Sequence, residues 1–577
     1  MEDKKKRKIL LINLLVAAFV LSVLLLVVEG TAQQSTGYQD LGRGVELFGD
    51  VYAHVLRNYV RPIDALDLSN NAIQGMMENL DPYSEFYDVR DLQQLQENTR
   101  GEFGGLGVEI STPGDYPQVM AYPIEGTPAE GRLRAGDRIT EINGESTYKM
   151  DVNDVVARLR GKVGEPVEIK VQRGGSDELL SMRIIRATIP LRNVTYSGEI
   201  EDGIGYIKLA NFNQSASSEM DDALSMLDKS GVDGVILDLR GNPGGLLIAA
   251  RDIANKFLSR ESLIVFTKER TGQGDKYLAT QPSRYPLKPL VVLVDRGSAS
   301  ASEIVAGAIQ DHDRGVLIGE TSFGKGSVQT IFDDLPNGNG LKLTTALYYT
   351  PSGRSIHKER TLEELFAEEM GEPETTPADS LAKAEKFYTD KKRIVYGGGG
   401  ITPDIIIREQ TVGNIVRQLV NQSVFFEFAT QYSTRNPGLA MEFEVTDAIM
   451  DEFRTFIQDE KNFKYSIPGK TSLTEFREIV QQEKYDGDVM TLIDTVEKTL
   501  MDKRNDDFEN SRETIARVLK REISAAQFGS AQRTIASRQW DVQLQKAIEV
   551  IKDPVQYAAI LAPGAVTGVE IAGSAGN

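Results

Sequence analysis

The sequence predicts a multidomain protein that combines an α/β core with α+β modules, and three observations support that class. The chain has 577 residues, which exceeds what one hydrophobic core normally organises. Strand patterns, glycine-rich turns and helical patterns alternate from about Ile200 to Ile407, which is typical of an α/β core. A β-rich stretch precedes this core, and long helical patterns follow it.

A basic and apolar leader occupies residues 1–32. The basic residues Lys4 to Lys8 are followed by an apolar run from Ile9 to Val28. A run of about 20 residues can cross a bilayer at about 1.5 Å per residue, so the pattern predicts a signal anchor or a long signal peptide. The small residues Gly30 to Ala32 match a cleavage site only loosely, which favours the anchor. Basic residues stay on the cytoplasmic side, so the remaining chain is expected on the other side of the membrane.

Two modules are predicted before the core. Apolar residues at helical spacing between Leu47 and Tyr87 predict a helical N-terminal region over 40–100, and Asp81–Ser84 breaks the pattern. Between Phe103 and Arg186, short β segments separated by glycine turns predict a β-rich module over 101–187. Its predicted strands are Gly107–Ile110, Gln118–Ala121, Asp137–Gly144 and Val167–Val171.

The predicted core covers 190–410, and a helical region follows it. Its strands are predicted at Val235–Leu239, Leu290–Val294 and Val316–Gly319, and its helices at Leu246–Phe257 and Ala301–Gln310. A charged segment with a helical pattern, 359–393, interrupts the core, and the glycines at 397–400 are interpreted as a flexible joint. Helical patterns predict a C-terminal domain over 411–560, and small residues predict a disordered tail over 561–577.

Composition excludes several functions. The chain has 85 acidic and 65 basic residues, and its net charge of −20 would repel nucleic acid. It has no cysteine, which excludes a disulfide framework, a thiolate nucleophile and a cysteine zinc site. Only three histidines are present, His54, His312 and His357, which argues against a histidine-rich metal site.

A serine-rich turn after the strand Leu290–Val294 offers a nucleophile. It contains Ser298, Ser300 and Ser302, and a helix carrying Glu303 in its first turn follows. A serine at this strand-to-helix turn lies beside free N–H groups and the helix dipole, which favour a developing oxyanion. The alternative is that these serines only cap the helix, with Ser300 and Glu303 forming a capping box.

Lys325 follows 25 residues after Ser300 and offers a base. A lysine acts as a base near neutral pH only when burial destabilises its ammonium form, and the neighbours at 323–328 carry no charge. Gln329 could orient the amine by a neutral hydrogen bond. The alternative is a solvated loop lysine, the usual situation for this residue type.

Three other features of the sequence bear on the function of this pair. The glycine-rich turn Gly241–Gly245 follows a strand and opens a helix, so its N–H groups could face a substrate carbonyl. The segment Gly319–Lys325 matches the start of a phosphate-binding loop, but Gly326 stands where Mg²⁺ binding requires Ser or Thr, which argues against an ATPase. A Ser-His-Asp triad with His312 or His357 as base is also open in principle, although the charged surroundings of His312 favour a solvated or capping residue.

Taken together, these motifs resemble the carboxyl-terminal processing proteases, a family of Ser-Lys peptidases with an inserted PDZ domain. The resemblance covers about residues 45 to 410 and depends on several segments that occur in the family's order. These segments are Asn79–Ser84, Gly104–Val108, Gly126–Ala129, Leu133–Asp137, Leu237–Gly245, the serine turn, the lysine segment and Gly400–Asp404.

The resemblance implies a crotonase-like ββα peptidase core and assigns roles to single residues. Ser300 would be the nucleophile, Lys325 the general base and Gln329 the residue that orients the lysine. The oxyanion hole would use the N–H of Ala301 and that of either Gly244 or Gly245. The PDZ loop would bind the carboxylate and terminal strand of a substrate by β-augmentation through Gly105, Leu106, Gly107 and Val108.

We therefore expect a serine endopeptidase that engages C-terminal tails of proteins and cleaves upstream of them. The expected location is the periplasmic side of the bacterial cell envelope, with an anchor in the inner membrane. No metal or cofactor is implied, and the expected partners are protein substrates, further copies of the chain and an adaptor protein. The alternative is a PDZ-bearing envelope scaffold whose peptidase domain is inactive. The segment 359–393 and the extension after Val412 depart from the shared core.

Overall fold

The computed structural model describes residues 35–570, with gaps at 113, 122, 125, 174–177, 286–287, 361–383, 409–411, 460–461, 467–468 and 484–486. Among the helices in these ranges, none is both long enough and apolar enough to cross a membrane. The predicted span Ile9–Val28 lies outside the described residues. The chain divides into two compact units, one up to Phe86 and one from Tyr87 onward.

The described part of the first unit is helical, as its apolar spacing predicts. It contains α1 (Ser35–Asn58) and α2 (Ala65–Glu78), and β1 (Glu85–Tyr87) follows. Asp64 begins α2 because its carboxylate accepts hydrogen bonds from two N–H groups of the first turn. The carboxylate of Asp81 likewise accepts from the N–H groups of Tyr83 and Ser84, which explains why the helical pattern stops there.

A β-rich module with its own small core opens the second unit. Val167, Ile169 and Val171 are buried and alternate with more exposed residues, so one face of their strand packs inward. The short helix at 152–159 was not predicted, because eight residues are too few to show a helical period. The elements are α3 (Val89–Arg100), β2 (Glu102–Gly105), β3 (Ile110–Ser111), β4 (Gln118–Val119), β5 (Arg138–Ile142), β6 (Glu145–Ser146), α4 (Val152–Leu159), β7 (Pro166–Gln172), β8 (Leu179–Ile185) and β9 (Ala187–Pro190).

The α/β core follows, and its strands and helices alternate as expected. Its elements are β10 (Val194–Glu201), β11 (Ile204–Leu209), α5 (Ala216–Ser230), β12 (Gly234–Asp238), α6 (Leu247–Asn255), β13 (Leu263–Glu269), β14 (Lys276–Leu278), β15 (Leu290–Val294), α7 (Ala301–Asp311), β16 (Val316–Gly319), β17 (Ser327–Phe332), β18 (Gly340–Tyr349), β19 (Lys386–Tyr388), β20 (Ile394–Tyr396) and β21 (Ile405–Ile406). Strands β14, β13, β18 and β17 neighbour one another in that order in an antiparallel sheet.

A helical domain follows the core in the chain, and two helices that come after this domain return to pack on the core. The domain contains α8 (Asn414–Asn421), α9 (Val424–Arg435), α10 (Asp447–Gln458), α11 (Lys470–Gln482), α12 (Gly487–Asp502), α13 (Arg504–Asn510), α14 (Arg512–Phe528) and α15 (Gln532–Ser537). After it come α16 (Val542–Lys552), α17 (Pro554–Ile560) and β22 (Val569–Glu570). The helical domain also contacts the β-rich module, where Thr430 on α9 lies directly over Gly136.

The main sheet of the core has seven strands in the order β10, β11, β12, β15, β16, β21 and β22. Strand β10 is antiparallel to β11, and every later pair is parallel. Both faces are covered: Val235 and Leu237 pack with α5, α6 and α7, whereas Ile236 packs with α16 on the other face. Parallel strands buried on both faces appear as continuous apolar runs, which explains why Leu290–Val294 is visible in the sequence.

The structure differs from the sequence expectation at three places. The predicted C-terminal region over 411–560 is helical through α17, but α16 and α17 pack on the main sheet of the core, and β22 pairs with β21 inside the predicted disordered tail. Of the charged segment 359–393, residues 361–383 lie outside the described residues, and the end of the segment contributes β19, which pairs with β20 in a hairpin, instead of a helix. The glycines at 397–400 are held by backbone hydrogen bonds, Gly398 N–H to Ser355 O and Gly400 N–H to Ile356 O, and so do not form a flexible joint.

Candidate functional site

Ser300 occupies a strained position at the start of α7. The strand β15 ends at Val294, and the chain turns through 295–300 before the helix begins. Ser300 has φ 54° and ψ −112°, a conformation that costs energy in a residue with a side chain. Such a residue persists only where its surroundings hold it, and this pattern is common at functional sites.

The other two serines of the turn have structural partners. The hydroxyl of Ser298 donates to the carbonyl of Leu239 at 2.8 Å, and that of Ser302 donates to the carbonyl of Asn242 at 2.9 Å. Both serines are fully buried, whereas Ser300 is half-buried. Ser300 and Glu303 form the capping box that the sequence suggests, and Ser300 is the one of the three serines that is not fully buried, which favours it as the nucleophile.

The glycine-rich turn lies against Ser300. A Cβ on Gly244 would lie 2.8 Å from both Ser300 Cβ and Ala301 N, so a larger residue would collide with the serine turn. The N–H of Gly244 donates to the side-chain oxygen of Asn242 at 2.9 Å. Within the described part of the chain, the N–H groups of Gly245 and Ala301 donate no hydrogen bond. Of the two glycines left open by the sequence, Gly245 is therefore the one with an available donor.

The lysine segment packs beside the serine turn. The N–H of Phe323 donates to the carbonyl of Ser298 at 3.0 Å, and Lys325 is half-buried. A Cβ on Gly326 would lie 2.8 Å from the backbone nitrogen of His357, which explains the glycine that follows the lysine. A phosphate loop would need the N–H groups of Gly324 and Lys325, but both already donate to a carboxylate.

That carboxylate is Glu303, which is fully buried and joins the two segments. One oxygen accepts from the Ser322 hydroxyl at 2.5 Å and the Gly324 N–H at 2.7 Å. The other accepts from the N–H groups of Ser300 and Lys325, both at 2.9 Å. Burial raises the pKa of Glu303, and these hydrogen bonds oppose the rise.

Sequence reasoning recognised Glu303 only as a capping residue. The bond from the Ser300 N–H is the one that a capping box predicts, but the bonds to the lysine segment were missed. One signal was available: Glu303 is the only charged residue in the helix sequence between Ala301 and Gln310. A charge in such an apolar helix must find partners if it is buried.

Gln329 lies on β17 and has partners on the strand pair. Its amide donates to the hydroxyls of Ser327 at 2.9 Å and Thr344 at 3.2 Å. These bonds fix the side chain close to the segment that follows Lys325. The predicted hydrogen bond from Gln329 to the lysine amine stays a prediction.

The histidine alternatives differ in position. His312 lies at the C-terminal end of α7, with Nδ1 2.8 Å from Asp390 and Nε2 2.7 Å from the carbonyl of Leu263. Ser300 and His312 flank the 11 residues of the helix, so about 18 Å separate their backbones, which excludes His312 as a base. His357 lies beside the lysine segment, where its backbone and Cβ approach Gly326.

An ion-pair network precedes the glycine turn. Asp238 at the end of β12 is fully buried and accepts from Arg240 at 2.7 Å and from Lys208 at 3.1 Å. Arg240 also contacts Asp541, just before α16, at 2.7 Å. Burial by itself would raise the pKa of Asp238, but the charges of Arg240 and Lys208 bring it far below its usual value. Arg240, which leads into the glycine turn, is thus held by Asp238 within the core and by Asp541, which lies 301 residues later in the chain.

The predicted carboxylate-binding loop lies in the β-rich module. Leu106 is buried, and Gly107 has φ 84°, with a hypothetical Cβ only 2.3 Å from the Thr127 hydroxyl. The N–H groups of Leu106, Gly107 and Val108 donate no hydrogen bond to any residue that the structure describes. Since α4 packs beside β3, which follows this loop, the arrangement suits a strand that ends in a carboxylate.

Comparison with known proteins gives three matching family models. The model described as peptidase family S41 matches residues 203–364, and a PDZ domain model matches residues 119–173. A third, described as "Probable PDZ-protease, C-terminal helical domain", matches residues 415–551. The loop at 105–108 lies before the part matched by the PDZ model.

Two curated relatives and one solved structure each match slightly more than half of this chain. A carboxy-terminal-processing protease of Bartonella bacilliformis is 39% identical over 331 residues, which cover 56% of this chain and 74% of the relative. The carboxy-terminal processing protease CtpB of Bacillus subtilis is 36% identical over 335 residues, which cover 57% of this chain and 68% of the relative. A solved photosystem II D1 C-terminal processing protease is 32% identical over 54% of this chain and 90% of that chain, with a TM-score of 0.33.

Proposed function

Because this chain belongs to the carboxy-terminal processing protease family, a family of serine-type peptidases, we propose that Ser300 cleaves peptide bonds with Lys325 as its general base. The observation that carries the proposal is the joint anchoring of the two segments by Glu303. Its carboxylate binds the backbone N–H of the proposed nucleophile and that of the proposed base. Two loops that are distant in sequence are thereby held as one unit beside the open N–H groups of Gly245 and Ala301.

The proposed reaction follows from this arrangement. Lys325 in its neutral form takes the proton of the Ser300 hydroxyl, and the serine oxygen attacks the peptide carbonyl. The negative charge that develops on the carbonyl oxygen is stabilised by the N–H groups of Gly245 and Ala301. Protonated Lys325 then gives its proton to the leaving amine as the peptide bond breaks. In the second half of the reaction, Lys325 takes a proton from water, the water oxygen attacks the acyl-enzyme, and Ser300 recovers its proton from Lys325.

Substrate choice is proposed to come from the β-rich module. The terminal strand of a substrate would add to the edge of β3, next to α4, and its carboxylate would bind the N–H groups at Leu106, Gly107 and Val108. A free carboxylate and an unstructured tail are therefore the features that mark a substrate.

Location and assembly are further proposals. The basic leader and the apolar run Ile9–Val28 support a place on the periplasmic side of the bacterial envelope, anchored in the inner membrane. Exposed apolar side chains on α1, including Leu41, Val45 and Phe48, support self-association, and an adaptor protein remains part of the proposal.

Cleavage of a model substrate tests the mechanism. The substrate is a folded protein with a flexible C-terminal tail, and fragments are identified by mass spectrometry. We expect Ser300→Ala and Lys325→Ala each to lower kcat by about 10⁴-fold or more while the fold is retained, since each removes a reacting group. His357→Ala, the matched control for the alternative base, is expected to keep its activity.

The outcomes distinguish a Ser-Lys peptidase from a peptidase with a histidine base and from an inactive scaffold. Fragments from Ser300→Ala would refute the nucleophile, and activity lost in His357→Ala but kept in Lys325→Ala would point to a histidine base. If the wild-type protein binds a free-carboxylate tail without producing fragments, the chain is a scaffold. A substrate with an amidated C-terminus tests the PDZ loop, because removal of the carboxylate charge should weaken binding.

A further inference from the structure

One buried hydroxyl lies between the two proposed catalytic segments. Tyr348 on β18 is only 1% exposed, and its own N–H donates to the carbonyl of Gly326 at 2.9 Å. Its phenolic oxygen lies 3.0 Å from the carbonyl oxygen of Ser300 and also within hydrogen-bond distance of the carbonyl oxygen of Lys325. A phenol has one proton, so the two carbonyls share one donor.

This contact acts on the peptide group that follows the nucleophile. The carbonyl of Ser300 and the N–H of Ala301 belong to one planar peptide unit, so fixing the oxygen also fixes the direction of the N–H. The N–H of Ala301 is one of the two proposed oxyanion donors. The carbonyl of Ser300 also accepts the first hydrogen bond of α7, from the N–H of Ile304 at 3.0 Å, so Tyr348 and α7 together set the orientation of that donor.

The strained conformation of Ser300 makes such a support necessary. Glu303 holds the N–H of Ser300 at 2.9 Å, and Tyr348 holds its carbonyl. The φ angle of 54° is thus fixed by one partner on each side of the residue. Because the same phenol reaches the carbonyl of Lys325, it also fixes the distance between the backbones of nucleophile and base.

We propose that Tyr348 is a positioning residue for the Ser-Lys reaction. Through the carbonyls of Ser300 and Lys325 it aligns the Ala301 N–H and joins Ser300 to Lys325. The inference rests on the proposed function above. A purely structural tyrosine would affect unfolding, whereas a positioning residue affects the rate of the folded enzyme.

Three variants test this in the full-length protein with the tailed substrate. Tyr348→Phe keeps the ring and removes the donor, and kcat is expected to fall by about 10- to 100-fold with KM changed less than about twofold. Tyr349→Phe is the matched control: it removes a hydroxyl from the next residue, whose ring stacks on Phe266 at 5.2 Å, and should leave kcat unchanged. Tyr348→4-aminophenylalanine supplies one N–H for each carbonyl and should restore kcat to within about threefold.

The outcomes separate this inference from the mechanism it rests on. If the wild type does not cleave, or if Ser300→Ala does, the proposed function fails. If both behave as expected and Tyr348→Phe keeps the wild-type kcat, only the role of Tyr348 is overturned. The role is also overturned if the amino variant folds but stays as slow as Tyr348→Phe. It is equally overturned if Tyr348→Phe does not fold at the assay temperature while the amino variant does, since the hydroxyl would then be a folding determinant.

Discussion

Two buried carboxylates hold the two loops around Ser300, and the protein stabilises them in opposite ways. Asp238 is paired with Arg240 and Lys208, which bring its pKa far below the usual value despite burial. Glu303 is held by one hydroxyl and three backbone N–H groups, and burial raises its pKa. The glycine turn is thus anchored by charge, whereas the lysine segment is anchored by neutral donors.

This difference predicts which property, stability or reaction rate, is lost when each carboxylate is replaced. Removing one member of a buried ion pair leaves the other charge without its partner, so the cost appears mainly as stability. Removing the hydrogen-bonded carboxylate of Glu303 releases N–H groups of the serine and lysine segments. The main effect is then a misalignment of Ser300 and Lys325, which lowers the reaction rate. Three substitutions test this division, and the largest effect is expected at the ion pair.

Asp238→Asn should destabilise the folded protein by about 3 to 5 kcal/mol at pH 7, because Arg240 would keep a buried charge without its main partner. The measurement is urea unfolding followed by circular dichroism. The matched control is Asp447→Asn, which breaks an exposed ion pair to Arg512 and should cost under about 1 kcal/mol. Equal losses in the two variants would contradict the assignment.

The pH dependence of this loss has a definite sign. Since the pKa of Asp238 is lowered in the folded state, its ionised form contributes stability above the unfolded pKa of about 3.9, and that contribution is lost as the pH falls through the folded value. The difference between wild type and Asp238→Asn should therefore shrink below about pH 4. A constant difference down to acid pH would contradict the lowered pKa.

Glu303→Gln should lower kcat by about 10²- to 10³-fold with a smaller effect on stability. A glutamine can accept through one oxygen only, so its NH₂ group faces two of the donors that the carboxylate binds. The measurement is kcat on the tailed substrate together with the thermal midpoint. Glu549→Gln on the surface of α16 is the control, and a wild-type kcat in Glu303→Gln would show that the segments are held by other contacts.

The pH sign at Glu303 is the reverse of that at Asp238. Because burial raises the pKa of Glu303, the folded state takes up this proton at higher pH than the unfolded chain does. When the pH falls through this range, Glu303 becomes protonated and its buried negative charge disappears. The N–H groups of the serine and lysine segments then lose the carboxylate that accepts their hydrogen bonds. Activity should fall in this range before stability does.

Asp541→Asn should have the smallest effect, about 1 kcal/mol in stability and a few-fold in kcat. Asparagine can still begin α16 by accepting from the Leu544 N–H, so the change is confined to the contact with Arg240. Asp553→Asn is the control because Asp553 begins α17 in the same way without an arginine partner. A larger loss from Asp553→Asn than from Asp541→Asn would show that capping dominates.

The elements of the core could be predicted where one local pattern determines them. The strand Leu290–Val294 has the predicted bounds, because it is buried on both faces and its apolar run is continuous. The place of Ser300 at a strand-to-helix turn also follows from a local pattern, whereas its role as nucleophile is implied by the family resemblance.

Contacts between distant residues could not be predicted in this way. Arg240 and Asp541 are about 300 residues apart and have no shared motif, and Tyr348 meets Ser300 only because β18 passes beneath it. The choice between Gly244 and Gly245 depends on one hydrogen bond, which the Gly244 N–H donates to the side-chain oxygen of Asn242. Each of these is decided by tertiary packing, which a single sequence does not display.

The return of residues 541–570 to the main sheet has a consequence for biosynthesis. During vectorial synthesis the sheet lacks β22, both covering helices and the Asp541 partner of Arg240 until these residues are available. By then the PDZ-like module and the helical domain have already been made. The order of the chain therefore delays completion of the core until both of these parts have been synthesised.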